Sequence, residues 1–290
     1  MKNKISIIGG DLRNIRLAQL LTYDGVDICT YGLENSNDIQ DDDGIKIADN
    51  IKDVLGFSDI IISSIPFSKD GKKINSPFSE KEILINDIVD NIDKNKLLIA
   101  GNINRENLYE LNKKCNRIID IMKCEELVVL NTIATAEGTI DIAIQNTEKN
   151  LQGSNVLVLG FGRVGKIVAE RFKALKTEVT CAARKSSDLA WIKTYGYDNM
   201  DINNLNERLN NYDIIINTVP EVIIGERELK FMKRNVLIID LASVPGGIDF
   251  EEAKKQKRKC IWALAIPGKI SPLSTAEFIK EIIYKKINEL

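Results

Sequence analysis

The sequence predicts an α/β protein built from two doubly wound parallel-sheet domains joined by a connecting helix. Short apolar, β-branched runs alternate with longer helical patterns along the whole chain, the mark of parallel strands covered by helices. The length of 290 residues suits two domains of ordinary size. The two halves also echo each other.

The echo runs strand by strand. Ile5–Ile8 leads into Gly9-Gly10, and Val156–Leu159 leads into Gly160. Asp59–Pro66 is answered by Asp213–Pro220, and Lys96–Gly101 by Asn235–Asp240. A last apolar segment, Arg117–Met122, is matched by Cys260–Ala265. The boundaries expected from this pattern are 1–130 for the first domain and 151–270 for the second. Residues 131–150 connect them, with a helix over about Thr135–Thr147 carrying Ala136, Ile140, Ala143 and Ile144. A final helix, Thr275–Asn288 within 271–290, has Phe278, Ile279, Ile282, Ile283 and Ile287 at helical spacing, with Ser274 and Thr275 as caps. The run Asp41-Asp42-Asp43 is a solvated loop.

Composition narrows the function. Hydrophobic residues make up 44% and charged residues 28%, values of a globular chain with real cores. A net charge of −2 argues against nucleic acid as a partner. No uninterrupted apolar run approaches the roughly 18 residues of a membrane span, and Met1–Ile5 runs straight into a strand pattern, so a cytoplasmic location is expected. Cys29, Cys115, Cys124, Cys181 and Cys260 are scattered, as buried apolar residues would be, and form no zinc pattern. The chain has no histidine at all. Serine–histidine and cysteine–histidine catalysis are thereby excluded, as are histidine-held metals and an imidazole base for alcohol oxidation. Any general acid or base is Asp, Glu, Lys, Tyr or Cys. No metal site is expected.

Asn155–Leu159 reads as a buried strand, followed at once by Gly160-Phe161-Gly162-Arg163-Val164-Gly165 and a helix over Lys166–Leu175. Gly160 permits the tight turn, Gly162 lets phosphate approach the backbone, and Gly165 allows close helix–strand packing. The amides and dipole at that helix start favour a pyrophosphate. The second domain is therefore a Rossmann NAD(P)-binding domain. At the end of the next strand, Glu178–Ala183, the carboxylate that would hold an NAD ribose is replaced by Ala183-Arg184-Lys185-Ser186-Ser187. Arginine, lysine and hydroxyls suit a 2′-phosphate, so NADP is preferred over NAD. Thr218, Val219 and Pro220, with Ala242 and Ser243, fall at later strand ends and border the nicotinamide side. Asp240 either joins them or caps a following turn. In the first half, Asp11 stands where phosphate would arrive, so no second dinucleotide is expected there. Asp11, Arg13 and Arg16 face either a cleft, a partner or solvent.

The chain resembles the dipicolinate synthase A-subunit family over nearly its whole length. The resemblance rests on Ile8-Gly9-Gly10-Asp11 with Arg13, Asn131–Thr139, Asp240–Ser243, Pro245-Gly246-Gly247 and Ile266-Pro267-Gly268-Lys269. It implies a mother-cell enzyme of sporulation acting with the smaller, flavoprotein-like B-subunit of dipicolinate synthase. It also implies NADP-dependent oxidation of a dihydro- or hydroxytetrahydrodipicolinate to dipicolinate. A dicarboxylate needs cationic partners, for which Arg13 and Lys269 are candidates beside Asp11 and Thr135. Glu137 is the candidate for proton transfer, against a helix-start residue aligned with the dipole; Lys269 and Ser243 are the other residues expected at the reacting ring. Two-domain dehydrogenases often return the terminal helix to the first domain. The alternatives are another histidine-free NAD(P)-dependent amino-acid or hydroxyacid dehydrogenase, or a non-catalytic NADP-binding protein. Homo-oligomerisation is left open.

Overall fold

Each of the paired apolar runs becomes a central strand of its own parallel sheet. The computed structural model describes residues 4–289. The chain divides into two compact units, Met1–Leu130 with Ser271–Leu290, and Asn131–Ile270.

The first unit runs β1 (Lys4–Ile8), α1 (Leu12–Tyr23), β2 (Asp27–Tyr31), α2 (Asn37–Gln40), β3 (Ile45–Ile47) and α3 (Ile51–Phe57). It continues with β4 (Ile60–Ser63), α4 (Ile85–Asn91), β5 (Leu97–Ala100), α5 (Arg105–Asn112) and β6 (Arg117–Asp120). Its sheet order is β3-β2-β1-β4-β5-β6. The strands are apolar at successive positions because both faces are covered. Ile5 and Ile7 pack on the side of Leu17, Leu21, Ile279 and Ile283, while Ile8, Ile61 and Leu98 pack toward Val54 and Ile88.

A long helix, α6 (Glu125–Asn146), follows. It begins ten residues before the expected Thr135, because Glu125 and Glu126 favour a helix start while Val128, Val129, Thr132 and Ile133 mask it with β-branched bulk. Glu137 therefore lies mid-helix, and its reading as a helix-start residue is corrected. No uninterrupted apolar run in α6 approaches 18 residues, yet by length and mean hydropathy alone the helix could also cross a membrane. Its Ala136 and Ala143 are instead part of the second unit's core.

The second unit runs β7 (Asn155–Leu159), α7 (Arg163–Ala174), β8 (Glu178–Ala183), α8 (Ser186–Thr194) and β9 (Asp198–Asp201). Then come β10 (Ile214–Asn217), α9 (Glu226–Phe231), β11 (Leu237–Asp240), α10 (Phe250–Lys255), β12 (Lys259–Trp262) and α11 (Ile266–Ile270). The order β12-β11-β10-β7-β8-β9 is that of a dinucleotide-binding sheet, with its switch point between β7 and β10. The expected two doubly wound sheets are both present.

The last helix, α12 (Pro272–Asn288), packs on α1 within the first unit. Its N-cap is Ser271 and Pro272 occupies the first turn, so Ser274 and Thr275 are not caps as expected. Proline suits that position because its missing N–H has no helical partner there. Asp24 accepts from Lys280 Nζ at 2.9 Å and Tyr284 Oη at 2.8 Å, tying α12 to the end of α1.

Candidate active site

The site is built at the carboxyl ends of β7, β8, β10 and β11. Gly160 has φ +94°, a left-handed turn that a side chain would strain, and its N–H donates to Ala182 O at 2.9 Å. A Cβ on Gly165 would stand 2.1 Å from the Gly160 carbonyl oxygen, so α7 lies as close to the strand end as glycine allows. A Cβ on Gly162 would meet nothing within 4 Å. No side chain caps α7 at Gly162. An uncapped helix start over open space is what a pyrophosphate requires, and the residues present fit that group. Arg163 is exposed and Val164 half-buried on the first turn of α7.

The neighbouring strand ends complete the cradle. Thr218 Oγ1 donates to Leu159 O at 2.8 Å, locking the loop after β10 to the end of β7. Thr218 and Val219 are half-buried and Pro220 is exposed. At the end of β8, Ala183 is buried while Arg184, Lys185 and Ser186 are exposed at the start of α8. The basic turn thus stands in solvent on the β8 side of the switch point, where an adenosine ribose lies in this fold.

Of the two places expected for Asp240, the structure shows the one in the turn. It is 0% exposed. Its Oδ1 accepts from Asn217 Nδ2 at 2.7 Å and Ala242 N at 3.0 Å, and its Oδ2 accepts from Gly247 N at 2.8 Å. A buried carboxylate is stable only with such donors, and these consume it. Asp240 holds the turn after β11 and does not face a cofactor. Ala242 is buried and Ser243 exposed on that turn. Asn217, fully buried, does not stand out in the sequence; its signal is a polar residue closing the run Ile214–Ile216.

The first unit corrects the expectation for Arg13. Arg13 is buried, and its Nε and Nη2 donate to Asp11 Oδ1 and Oδ2 at 2.9 and 2.8 Å. Its Nη2 also donates to Ile65 O. Asp11 in turn caps α1 through Arg13 N. Arg13 is therefore a neutralised, internally paired cation and not one awaiting a carboxylate, because burying it unpaired would cost several kcal/mol. Arg16 pairs with Asp38 at 3.2 Å.

In the second unit, Lys269 and Glu137 are exposed, and neither has an ion pair among the described residues. Gly138 brings their elements together: its Cβ would lie 2.3 Å from Ile266 and 2.9 Å from Ile270. Thr135 Oγ1 donates to Asn131 O at 2.9 Å, so its proton is already used along α6. Cys181 and Cys260 are unsuited to acid–base work, burial pushing both up to about 12.

Comparison with known proteins decides the family. Residues 4–122 match the N-terminal domain of the dipicolinate synthase A-subunit. Across 99% of this chain and 96% of the relative, the sequence is 33% identical to the dipicolinate synthase A-subunit of Bacillus subtilis (strain 168). The chain belongs to the dipicolinate synthase A-subunit family. Residues 131–245 match the NAD-binding domain of D-isomer-specific 2-hydroxyacid dehydrogenases. The crystal structure of the dipicolinate synthase A-subunit from Bacillus halodurans superposes with a TM-score of 0.88 at 30% identity, over 98% of this chain and 97% of that one. That of its Bacillus subtilis counterpart gives 0.85 at 31%, over 100% and 97%. This member of the family is an NAD(P)-dependent oxidoreductase with a Rossmann domain as its second unit.

Proposed function

We propose that this dipicolinate synthase homologue oxidises a dihydro- or hydroxytetrahydrodipicolinate to dipicolinate with NADP. It acts with a flavoprotein-like B-subunit in the cytoplasm of a sporulating mother cell. The observation that carries the cofactor choice is the exposed Arg184-Lys185-Ser186 turn at the end of β8, where an NAD enzyme would place a carboxylate. Guanidinium and ammonium donors beside a 2′-phosphate form charge-assisted bonds; beside a bare ribose they have little to hold. The family relatives' name supports the product.

The chemistry suits a site without histidine. Bound NADP supplies a hydride acceptor. A dihydropyridine dicarboxylate loses one hydride and one proton and becomes aromatic, so the step is strongly downhill and needs no finely tuned base. Glu137 accepts the proton on a carboxylate oxygen. Lys269, on the element packed against α6 at Gly138, pairs with a substrate carboxylate. With Arg13 neutralised by Asp11, Lys269 is the cation left for that task. Where the substrate still carries its hydroxyl, loss of water precedes the oxidation.

Calorimetry with NADP and NAD on the parent and Arg184→Ala tests the cofactor. An arginine–phosphate bond of about 1.5–3 kcal/mol corresponds to a loss of about 10- to 150-fold in NADP affinity, with NAD affected little. Equal affinities of the parent for both dinucleotides would refute the choice. Dipicolinate formation by the chain with and without its B-subunit, followed chromatographically, tests the reaction. No product under either condition would overturn the proposed activity while leaving the cofactor result standing.

A further inference from the structure

The topology separates the two halves of a bound dinucleotide. The adenosine ribose lies at the end of β8, so the nicotinamide half lies across the switch point, over the ends of β10 and β11. Two loops leave those ends: Thr218–Pro220 and Ala242–Val244. Both are tied to one buried pair. Asn217 Nδ2 donates to Asp240 Oδ1 at 2.7 Å and to Val219 O at 2.9 Å, and Asn217 Oδ1 accepts from Val219 N at 3.1 Å. Asp240 accepts from the amides of Ala242 and Gly247. Gly247 O then accepts from Ile223 N and Ile224 N at 3.0 and 3.1 Å, closing the circuit back onto the β10 loop.

The turn is shaped around this carboxylate. Gly246 has φ +85°, and a Cβ there would lie 2.9 Å from Asp240 Oδ2. A Cβ on Gly247 would lie 2.2 Å from Asn217 Nδ2 and 2.6 Å from Val219 O. Trp262 closes the outside, its Nε1 donating to Ala242 O at 2.9 Å while its ring stacks on Phe250 at 5.1 Å.

We infer that Asp240 and Asn217 are positioning residues for the nicotinamide half: through the Val219 and Ala242 backbones they set the two loops that border the ring. Neither touches the cofactor. Their removal should therefore spare the adenosine half of the site, which hangs on β8 and the Gly160–Gly165 loop.

A pair of ligands tests this without any substrate. Each dinucleotide is compared with its own nicotinamide-free fragment, NADP with 2′-phospho-ADP-ribose and NAD with ADP-ribose, so the outcome does not depend on which cofactor is preferred. In Asp240→Asn an amide N–H faces backbone N–H donors, and at least one of the three bonds is lost. Dinucleotide affinity should fall about tenfold while fragment affinity stays within about twofold of the parent. Trp262→Phe keeps an aromatic ring beside Phe250 and removes the bond to Ala242 O, and it carries the test should Asp240→Asn fail to fold; it should show the same split, reduced to about threefold. A merely structural role would weaken dinucleotide and fragment together. Equal losses, or no loss in either variant, would overturn the inference.

Discussion

A Gly162→Val substitution puts a branched side chain where nothing of the protein stands within 4 Å. Gly162 has φ −81° and ψ −162°, which any residue adopts, so the backbone takes valine without strain. Valine is a poorer N-cap than glycine, at about 0.5–1 kcal/mol, which lowers the melting temperature by about 1–4 °C. Binding should suffer far more. If the pyrophosphate loses two charge-assisted amide bonds of about 1.5–3 kcal/mol each, affinity falls about 100- to 20,000-fold. Gly165→Ala makes the opposite case. Its methyl would lie 2.1 Å from the Gly160 carbonyl oxygen, a backbone atom that cannot swing aside. Overpacking of that kind costs about 1–3 kcal/mol or more, so this variant should lose melting temperature as well as affinity. Calorimetry and thermal unfolding of both proteins give the four numbers needed. Dinucleotide affinity within about threefold of the parent in Gly162→Val, with folding intact, would show that the pyrophosphate is not seated on this loop.

Two other outcomes follow from the charged and thiol groups. The Lys280 and Tyr284 hydrogen bonds hold Asp24 below the usual carboxylate range, despite some opposing desolvation. A depressed folded pKa contributes stability that is full above the unfolded value near 4 and is lost as pH falls through the folded one. Asp24→Asn should thus flatten the acid limb of a stability–pH curve below about pH 4; an unchanged limb would rule out this clasp as its source. Burial raises Cys181 and Cys260 to about 12, so iodoacetamide at neutral pH should leave both unmodified in the folded protein and label them after unfolding, as mass spectrometry of the peptides would show.

What the sequence revealed followed local chemistry. The glycine spacing and the strand runs predicted both sheets, because a strand covered on both faces must be apolar at every position, as Val156–Leu159 is. The basic turn after β8 was equally plain, since it needs only the end of one strand. Arg13 was misplaced, and Asp240 left between two readings, for a common reason. Each is charged and sits beside a glycine turn, which suggests a ligand, yet each is consumed by partners distant in sequence or by the turn itself. Asp240 meets Asn217 across neighbouring strands, and Arg13 on α1 reaches Ile65 in the loop after β4. Such pairings depend on strand order, which periodicity does not carry. The start of α6 was hidden by the β-branched residues of its first turns, which are poor helix formers, so that only the alanine-rich stretch from Thr135 read as helix.

The two sheets share a strand order, yet their glycine turns have opposite fates. In the first unit the connection from β4 to α4 spans residues 64–84, against residues 218–225 from β10 to α9. The longer segment folds back on itself through bridges between Ser68 and Ile74 and between Lys73 and Leu84, with Phe67 fully buried. It then covers the first strand's turn. Gly10 N donates to Asn75 O at 2.8 Å, and a Cβ on Gly9 would lie 2.6 Å from Ile74 Cγ2. The amide that could meet a phosphate is already bonded to the chain, and the space above it is filled. Asp11 adds a carboxylate at the helix start, where the dipole favours negative charge, and so satisfies from within what the second unit leaves for a pyrophosphate. One long loop and one aspartate thus close the first unit's turn to a dinucleotide. The dinucleotide belongs to the second unit because there the connection is short, the helix start is uncapped, and Gly162 faces open space.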